Sequence, residues 1–203
     1  MIGVVGYGLG NVRAILAAYA GAGVEAVPVG TPGEVRLASK LVLPGIGAFD
    51  HALDRLDALD LIEPLRQRVE VDGIPILGIC VGMQLFASSS EEGTRPGLGW
   101  IPGEVRRLTP PANGERLPVP HMGWNRVDVS TKDGLFEGLE ESRFYFLHSF
   151  HMACRSETDV LATTRYGSTF ACAVRRKNVW GVQFHPEKSH GFGVKLLRNF
   201  SRS

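Results

Sequence analysis

The residues best suited to chemistry are a cysteine set between two glycines and a histidine placed two positions before a glutamate. The stretch Gly78-Ile79-Cys80-Val81-Gly82-Met83-Gln84 follows Ile74-Pro75-Ile76-Leu77, an apolar run of the length of a buried strand, and leads into Gln84-Leu85-Phe86-Ala87, which can start a helix. Glycines two before and two after Cys80 allow a sharp strand-to-helix turn, as Gly-x-Ser-x-Gly does when it lifts a serine nucleophile above the carboxyl edge of a sheet. A thiol held there sits at a helix N-terminus, where backbone N–H groups and the helix dipole favour the thiolate. The plain alternative is a small buried cysteine with two packing glycines, since free cysteine is among the most buried residue types.

The second group is His185-Pro186-Glu187, which closes the strand-like run Val179-Trp180-Gly181-Val182-Gln183-Phe184. Proline halts ladder pairing and holds the preceding residue extended, so His185 and Glu187 project from a loop at a strand end and can share a side. An imidazole so placed can take a proton from a thiol or give one to a leaving amine, while the carboxylate holds its other nitrogen. The alternative is a surface His and Glu beside a turn. A third group, Pro44-Gly45-Ile46-Gly47-Ala48-Phe49, follows the buried run Leu41-Val42-Leu43. It reads as an ordinary turn, or as backbone N–H groups exposed to a ligand where glycine permits close approach. Together the three groups supply a nucleophile, an oriented base and donors for an oxyanion, which is the equipment of acyl transfer. All three fall at carboxyl ends of strands, the expected edge for a site in an open α/β sheet.

Positioning these groups requires alternating strands and helices. Residues 2–5 form a short strand, and Asn11 caps a helix that carries Val12, Ile15, Leu16 and Tyr19 on one face and stops at Gly21 and Gly23. Val24 to Val29 is a second strand, set at an edge by Pro28. Helical stretches run from His51 to Leu59 and from Leu61 to Val71, and Gly73 ends the latter before the elbow strand. This alternation predicts a mainly parallel sheet with helices on both faces. Ser88 to Gly93 reads as polar surface. Beyond Gly97 the strands shorten and lose their intervening helices: 105–108, 126–129, 143–147, 160–166, 169–174 and 179–184, with the last two joined as a hairpin by residues 175–178. The second half therefore extends the same sheet in antiparallel fashion, within one domain spanning residues 1–203. Ser189 caps a last helix with Phe192, Leu196 and Phe200 on one face.

Two other chemistries fare worse. Gly6-Tyr7-Gly8-Leu9-Gly10-Asn11 imitates a dinucleotide-binding loop, with Glu25 near the position of a ribose-binding acid, but Asn11 occupies the place of the third glycine. No Cys or His pair has zinc-finger or His-Glu-x-x-His spacing, and His148 and His151, three apart on one expected strand, point to opposite faces. No metal and no cofactor are expected. The formal charge of +1 gives no nucleic-acid footprint, and three cysteines without a Cys-x-x-Cys pair fit a reducing compartment. With no run of membrane-spanning length and no signal-peptide pattern at the N-terminus, a soluble, cytoplasmic protein is expected.

The ordered segments Tyr7-Gly8-Leu9-Gly10-Asn11, Leu43 to Phe49, Gly78 to Gln84, Pro120-His121-Met122-Gly123-Trp124-Asn125, Tyr145-Phe146-Leu147-His148-Ser149-Phe150 and Gly181 to Ser189 resemble the class I, triad-type, glutamine amidotransferases nearly end to end. The cysteine elbow and His-Pro-Glu carry the superfamily. The Tyr-Gly-x-Gly-Asn and His-Met-Gly-Trp-Asn segments resemble its glutaminase subunits that serve a (β/α)8-barrel cyclase in histidine biosynthesis. The resemblance implies a flavodoxin-like mixed α/β fold, L-glutamine as substrate, and a heterodimer that passes ammonia to the cyclase. It implies Cys80 as nucleophile, His185 as acid and base, and Glu187 as its orienter. It places the oxyanion at the backbone of Val81 and Ile46, with Gly45 and Gly47 beside it, and glutamine against Gly47, Gln84, His148, Ser149 and Phe150. Asn11, Trp124, Tyr145 and Lys188 become partner-facing; their plainer readings are a helix cap, a core aromatic, a strand residue and a solvated lysine. Val81 and Phe150 stand where the family usually has Leu and Tyr, and Ala14 where a small hydroxyl is common. The Phe150 exchange removes a hydroxyl. Two rivals remain at this level: a glutaminase that serves another synthase or acts alone, and a docking module of the same fold without chemistry.

Overall fold

The computed structural model describes residues 1–109, 117–130, 134–139 and 141–203. Four parallel strands build the first half: β1 (Ile2–Val5), β2 (Ala26–Val29), β3 (Lys40–Gly45) and β4 (Ile76–Cys80). Between them run α1 (Val12–Gly21), α2 (Pro32–Leu37), α3 (Phe49–Asp57) and α4 (Ile62–Arg66), the last continuing as a π-helical turn through Val71. After the four-residue α5 (Val81–Gln84) come β5 (Ser89–Ser90), β6 (Gly103–Arg107), β7 (His121–Arg126), β8 (Asp128–Val129), β9 (Arg143–His148), β10 (Phe150–Cys154), β11 (Val160–Tyr166), β12 (Ser168–Arg176) and β13 (Val179–Val182). A final helix, α6, spans His190–Arg202.

The sheet order is β2-β1-β3-β4-β13-β12-β10-β6-β5, with β11 and β8 branching from β12, while β7 and β9 form a separate ribbon. The expected mixed α/β sheet is therefore present, parallel from β2 through β13 and mainly antiparallel beyond. Its first five strands follow the flavodoxin-like order. β13 is the seam: it pairs parallel with β4, Val182 opposite Ile79, and antiparallel with β12. The last strand of the chain thus lies directly beside the elbow strand. β3 and β4 are almost wholly buried, as expected for strands covered on both faces.

Several local expectations hold for the stated reasons. The Asn11 side chain accepts from the Ala14 N–H at 3.2 Å, and β2 lies at the sheet edge with Pro28 in it. β11 has the expected bounds, and β12 and β13 form the hairpin, with Lys177 at φ +54 in its turn. Other expectations need correction. The helix after the elbow starts at Val81 and ends by Leu85, because Cys80 at φ +56 turns the chain at once. Helix α2 was not anticipated, although its Thr31–Glu34 capping box and Pro32 were in the sequence. β7 was also missed. His148 and His151 lie on successive strands separated by Ser149, not on one strand. Part of the polar 88–93 stretch is a short strand with Ser90 buried. Ser189 does occupy the N-cap of α6, but its hydroxyl does not cap: it donates to the His185 carbonyl and accepts from the Tyr145 N–H. Phe192 leaves the buried face of Leu196 and Phe200 and is 42% exposed.

Both elbow glycines are sterically required. A Cβ at Gly82 would stand 1.9 Å from the Leu43 carbonyl oxygen, and one at Gly78 would stand 2.6 Å from the Phe86 ring. Backbone of β3 occupies the first space and cannot withdraw without breaking its pairing with β4. Gly82→Ala is expected to cost stability at or above the top of the ~1–3 kcal/mol range of overpacked cores. Gly21→Ala, whose Cβ would meet nothing within 4 Å, is the control and is expected within about 1 kcal/mol of the unsubstituted chain. Urea unfolding of the two variants side by side checks this; equal midpoints would show that the elbow tolerates a side chain.

Candidate active site

Cys80 is the last residue of β4 and one of few non-glycine residues at positive φ, with φ 56° and ψ −114°. Such backbone costs ~1–3 kcal/mol and persists where its surroundings fix it. Here the neighbours are the end of β3, with Gly45 in register with Cys80, and β13 on the other side. The elbow aims the sulfur into a cavity of about 240 Å³ at the carboxyl edge of the sheet. That is below the ~300–1,000 Å³ of drug-sized pockets and suits an amino acid. Cys80 is 4% exposed, so the thiol is reached through the cavity.

His185 lines the same cavity. Its Nδ1 meets Glu187 Oε1 at 2.9 Å, both side chains being almost fully buried, while Nε2 is buried without a hydrogen-bond partner. Burial alone would depress this imidazole. The nearby Cys80 and the hydrogen-bonded Glu187 carboxylate outweigh it and raise His185 to about 10. The expectation that His185 and Glu187 share a side is met by a one-turn 3₁₀ segment, Pro186–Lys188. The backbone of His185 is clamped as well: its N–H donates to the Tyr145 carbonyl at 2.8 Å, and Ser189 Oγ donates to its carbonyl at 2.6 Å.

The turn after β3 brings Ile46 and Gly47 to the opposite wall, beside Val81. The glycine-rich loop after β1, which imitated a dinucleotide site, braces this wall from behind. The Tyr7 hydroxyl donates to the Pro44 carbonyl at 2.7 Å, and Gly10, at φ +89, lies so close that a Cβ would stand 2.7 Å from the Pro44 ring. The other expected binding residues, Gln84, His148, Ser149 and Phe150, all line the cavity. Glu92, Pro120 and Leu147 line it too and were not anticipated. Glu92 is held by accepting from the Phe49 N–H at 2.9 Å, a contact across 43 residues that spacing cannot reveal.

Behind the cavity lies a chain of neutral polar groups. His148 Nδ1 sits 2.8 Å from the Phe150 carbonyl, which can only accept, so Nδ1 carries the proton and Nε2 accepts. His121 Nδ1, 3.0 Å away, is then the donor to that nitrogen, and its own Nε2 accepts from Asn125 Nδ2 at 3.3 Å. The His121 ring is stacked between Tyr166 and Phe146, at 4.0 and 4.7 Å between centroids. Of the expected partner-facing residues, Asn11 and Lys188 are exposed, Trp124 is 42% exposed and stacks on His190, and Tyr145 is half-buried under the Lys188 ammonium.

The match of residues 5–202 to the family described as glutamine amidotransferase class-I covers the elbow, the His-Pro-Glu segment and both halves of the sheet, and this chain belongs to that family. Within it, the chain is 51% identical over 202 residues to the imidazole glycerol phosphate synthase subunit HisH of Bdellovibrio bacteriovorus, covering 99% of each. It is 45% identical to the subunit of the same name from Leptospira interrogans, again over 99% of each chain. Among solved structures, a glutamine amidotransferase crystal structure superposes with a TM-score of 0.76 at 24% identity, covering 99% of this chain and 97% of the other. A chain of PurLQS from Thermotoga maritima does so with 0.73 at 20%, over the same shares. At those identities the superpositions speak for the fold.

The buried histidines predict a pH response. Desolvation pushes His121 down to about 4 and His148 to about 3, although donation to the Phe150 carbonyl partly restores the latter. In the unfolded chain both titrate near ~6.5, so between ~6.5 and these values the unfolded state binds more protons. Stability therefore falls as pH falls through that window. His185 acts in the opposite sense: its contribution is complete below ~6.5 and is lost as pH rises towards about 10. The melting temperature is expected to drop by at least about 4 °C from pH 6.5 to 5, above the carboxylate range. His121→Phe, which retains a stacking ring, should flatten part of that slope. A level melting temperature across the window would mean that the rings are charged in the folded protein.

Proposed function

We propose that this chain is the glutaminase subunit of an imidazole glycerol phosphate synthase. It hydrolyses L-glutamine and delivers ammonia to a (β/α)8-barrel cyclase subunit in a heterodimer of histidine biosynthesis, in the cytoplasm. Residues 1–203 act as one amidotransferase domain, since the elbow of the first half and the His-Pro-Glu loop of the second flank adjacent strands of one sheet. The observation that carries the reading is His185: oriented by Glu187 through Nδ1, it leaves a buried, unpartnered Nε2 in the cavity that holds Cys80.

In this reading the Cys80 sulfur attacks the side-chain amide carbon of glutamine and forms a tetrahedral oxyanion. The N–H groups of Val81 and Ile46 stabilise it, with Gly45 and Gly47 giving the backbone its close approach. His185, protonated beside the Glu187 carboxylate, gives its proton to the departing nitrogen, and ammonia leaves behind a γ-glutamyl thioester. Now neutral, His185 takes a proton from water, which attacks the thioester, releasing glutamate and restoring the sulfur as a thiolate beside protonated His185. Gln84 donates to Phe150 O and to Gln183 Oε1, at 2.9 and 3.1 Å, so what it offers a ligand is its carboxamide oxygen, an acceptor for an N–H of glutamine. Phe150 participates through its backbone carbonyl, which makes the missing hydroxyl tolerable. Ser149, His148 and Gly47 complete the walls.

The partner-facing surface is the β7–β9 ribbon. Trp124 pairs with Tyr145 and Met122 with Leu147, and Met122, Trp124 and Leu147 are all exposed. Four apolar side chains on one face of a ribbon, with the Lys188 ammonium over the Tyr145 ring, fit a protein interface better than open solvent. Tyr145 O accepts the His185 N–H, so a partner pressing on this ribbon is one hydrogen bond from the base. That makes activity conditional on the cyclase.

Glutamate release should be measured for the chain alone, with the cyclase, and with the cyclase plus its nucleotide ligand, and is expected to rise at each step. Cys80→Ala is expected to reduce release to background while added ammonia still supports the cyclase; loss of both activities would assign Cys80 a structural role. Trp124→Ala is expected to weaken cyclase binding about tenfold or more, as truncated aromatic hot spots do. Unchanged affinity and stimulation would remove Trp124 from the interface.

A further inference from the structure

Gln183 is a buried polar residue beside the thiol that the mechanism leaves unused. It is completely buried, two positions before His185 and immediately after β13. Burying a carboxamide costs free energy unless its groups are paired, so its partners define what it does. Its Nε2 lies 3.7 Å from Cys80 Sγ, and its Oε1 lies 3.1 Å from Gln84 Nε2. A carboxamide can be turned by 180°, but here the turn is fixed from outside. The Phe150 carbonyl accepts and cannot donate, so the Gln84 atom 2.9 Å from it is the nitrogen. That nitrogen also faces Gln183, so the Gln183 atom it meets is the oxygen. The Gln183 N–H group is then left facing the sulfur. The same Phe150 carbonyl is held by His148 Nδ1, and His148 in turn by His121. The sulfur itself can donate its hydrogen to the Leu147 carbonyl, 3.8 Å away, when it is a thiol. That bond is lost with the proton, whereas the Gln183 N–H gains strength towards a charged sulfur.

We propose that Gln183 is a positioning residue for the nucleophile: its N–H, oriented through Gln84 and Phe150, holds the Cys80 sulfur and favours its thiolate. The proposal rests on the reading of Cys80 as the glutaminase nucleophile only for its consequence in turnover; the acid–base effect on the thiol stands apart from it. Gln183 and His185 both project towards Cys80 because alternate residues of an extended chain share a side, while Val182 and Phe184 face the core. One carries the proton for the leaving group and the other fixes the attacking atom.

The test uses the full chain with its cyclase and two variants. Gln183→Met keeps length and flexibility but has no donor. Gln183→Glu keeps the acceptor for Gln84 and puts a carboxylate oxygen against the sulfur. The rate of Cys80 alkylation by iodoacetamide is followed against pH by peptide mass, alongside glutamine turnover. In both variants the alkylation profile is expected to move alkaline by at least about half a pH unit, more in Glu than in Met. Turnover is expected to fall about tenfold or more, mostly in kcat with KM little changed. Alkylation profiles that coincide with that of the unsubstituted chain, in a variant whose melting temperature shows it folded, overturn the proposal. If Gln183→Met does not fold, Gln183→Glu decides alone. Should Cys80 in the unsubstituted chain alkylate no faster than Cys154 and Cys172, the glutaminase reading fails, and the displacement between variants still tests the hydrogen bond.

Discussion

The contact on which this structure turns is that of Gly82 with the Leu43 carbonyl, where no Cβ could be accommodated. It lets the short helix after Cys80 lie directly against the end of β3, which brings the backbone of Ile46 and Gly47 to the same cavity as the sulfur. The strained φ of Cys80 follows from the same packing, because the chain must reverse within one residue of a buried parallel strand. The cysteine elbow and the Ile46–Gly47 wall are thus one construction. The loop after β1 supports it from behind through Tyr7 and Gly10 against Pro44, using glycines that elsewhere would cradle a phosphate.

The second construction is the seam at β13. By pairing parallel with β4 and antiparallel with β12, this strand delivers Gln183 and His185 to the thiol and joins the two halves of the sheet. His185 is held at four points: Glu187 on its ring, Tyr145 and Ser189 on its backbone, and the fixed φ of Pro186 after it. Two of these holds connect to β9, half of the exposed aromatic ribbon. His185 is thus one hydrogen bond from that ribbon, with no long relay between them.

Polar groups around the cavity are paired in a single consistent direction. The Phe150 carbonyl sets the proton positions of His148 and His121 and the orientation of Gln84 and Gln183. Desolvation keeps both histidines neutral, so neither adds a positive charge beside the thiol. A low-dielectric surround strengthens what remains. Neutral amides and imidazoles therefore serve the site better here than lysine or arginine would.

Much of this was present in the amino-acid sequence. Local chemistry dictated it: glycines around Cys80 for a turn, Pro186 to end a strand beside His185, Asn11 to cap a helix, and alternation of buried strands and amphipathic helices for a mixed α/β sheet. Each depends on neighbours within a few residues, and resemblance across the ordered motifs then bound them into one enzyme class. Tertiary structure decided what depends on contacts across tens of residues. It put Gln183 against the sulfur, gave the Ser189 hydroxyl to His185 and Tyr145 instead of a helix cap, brought Glu92 to the cavity, split His148 and His151 between strands, and exposed Phe192 and Met122. Side-chain type states what a group can do; only the packed sheet determines which partner it meets, because hydrogen-bond partners are chosen by distance in space and not by separation along the chain.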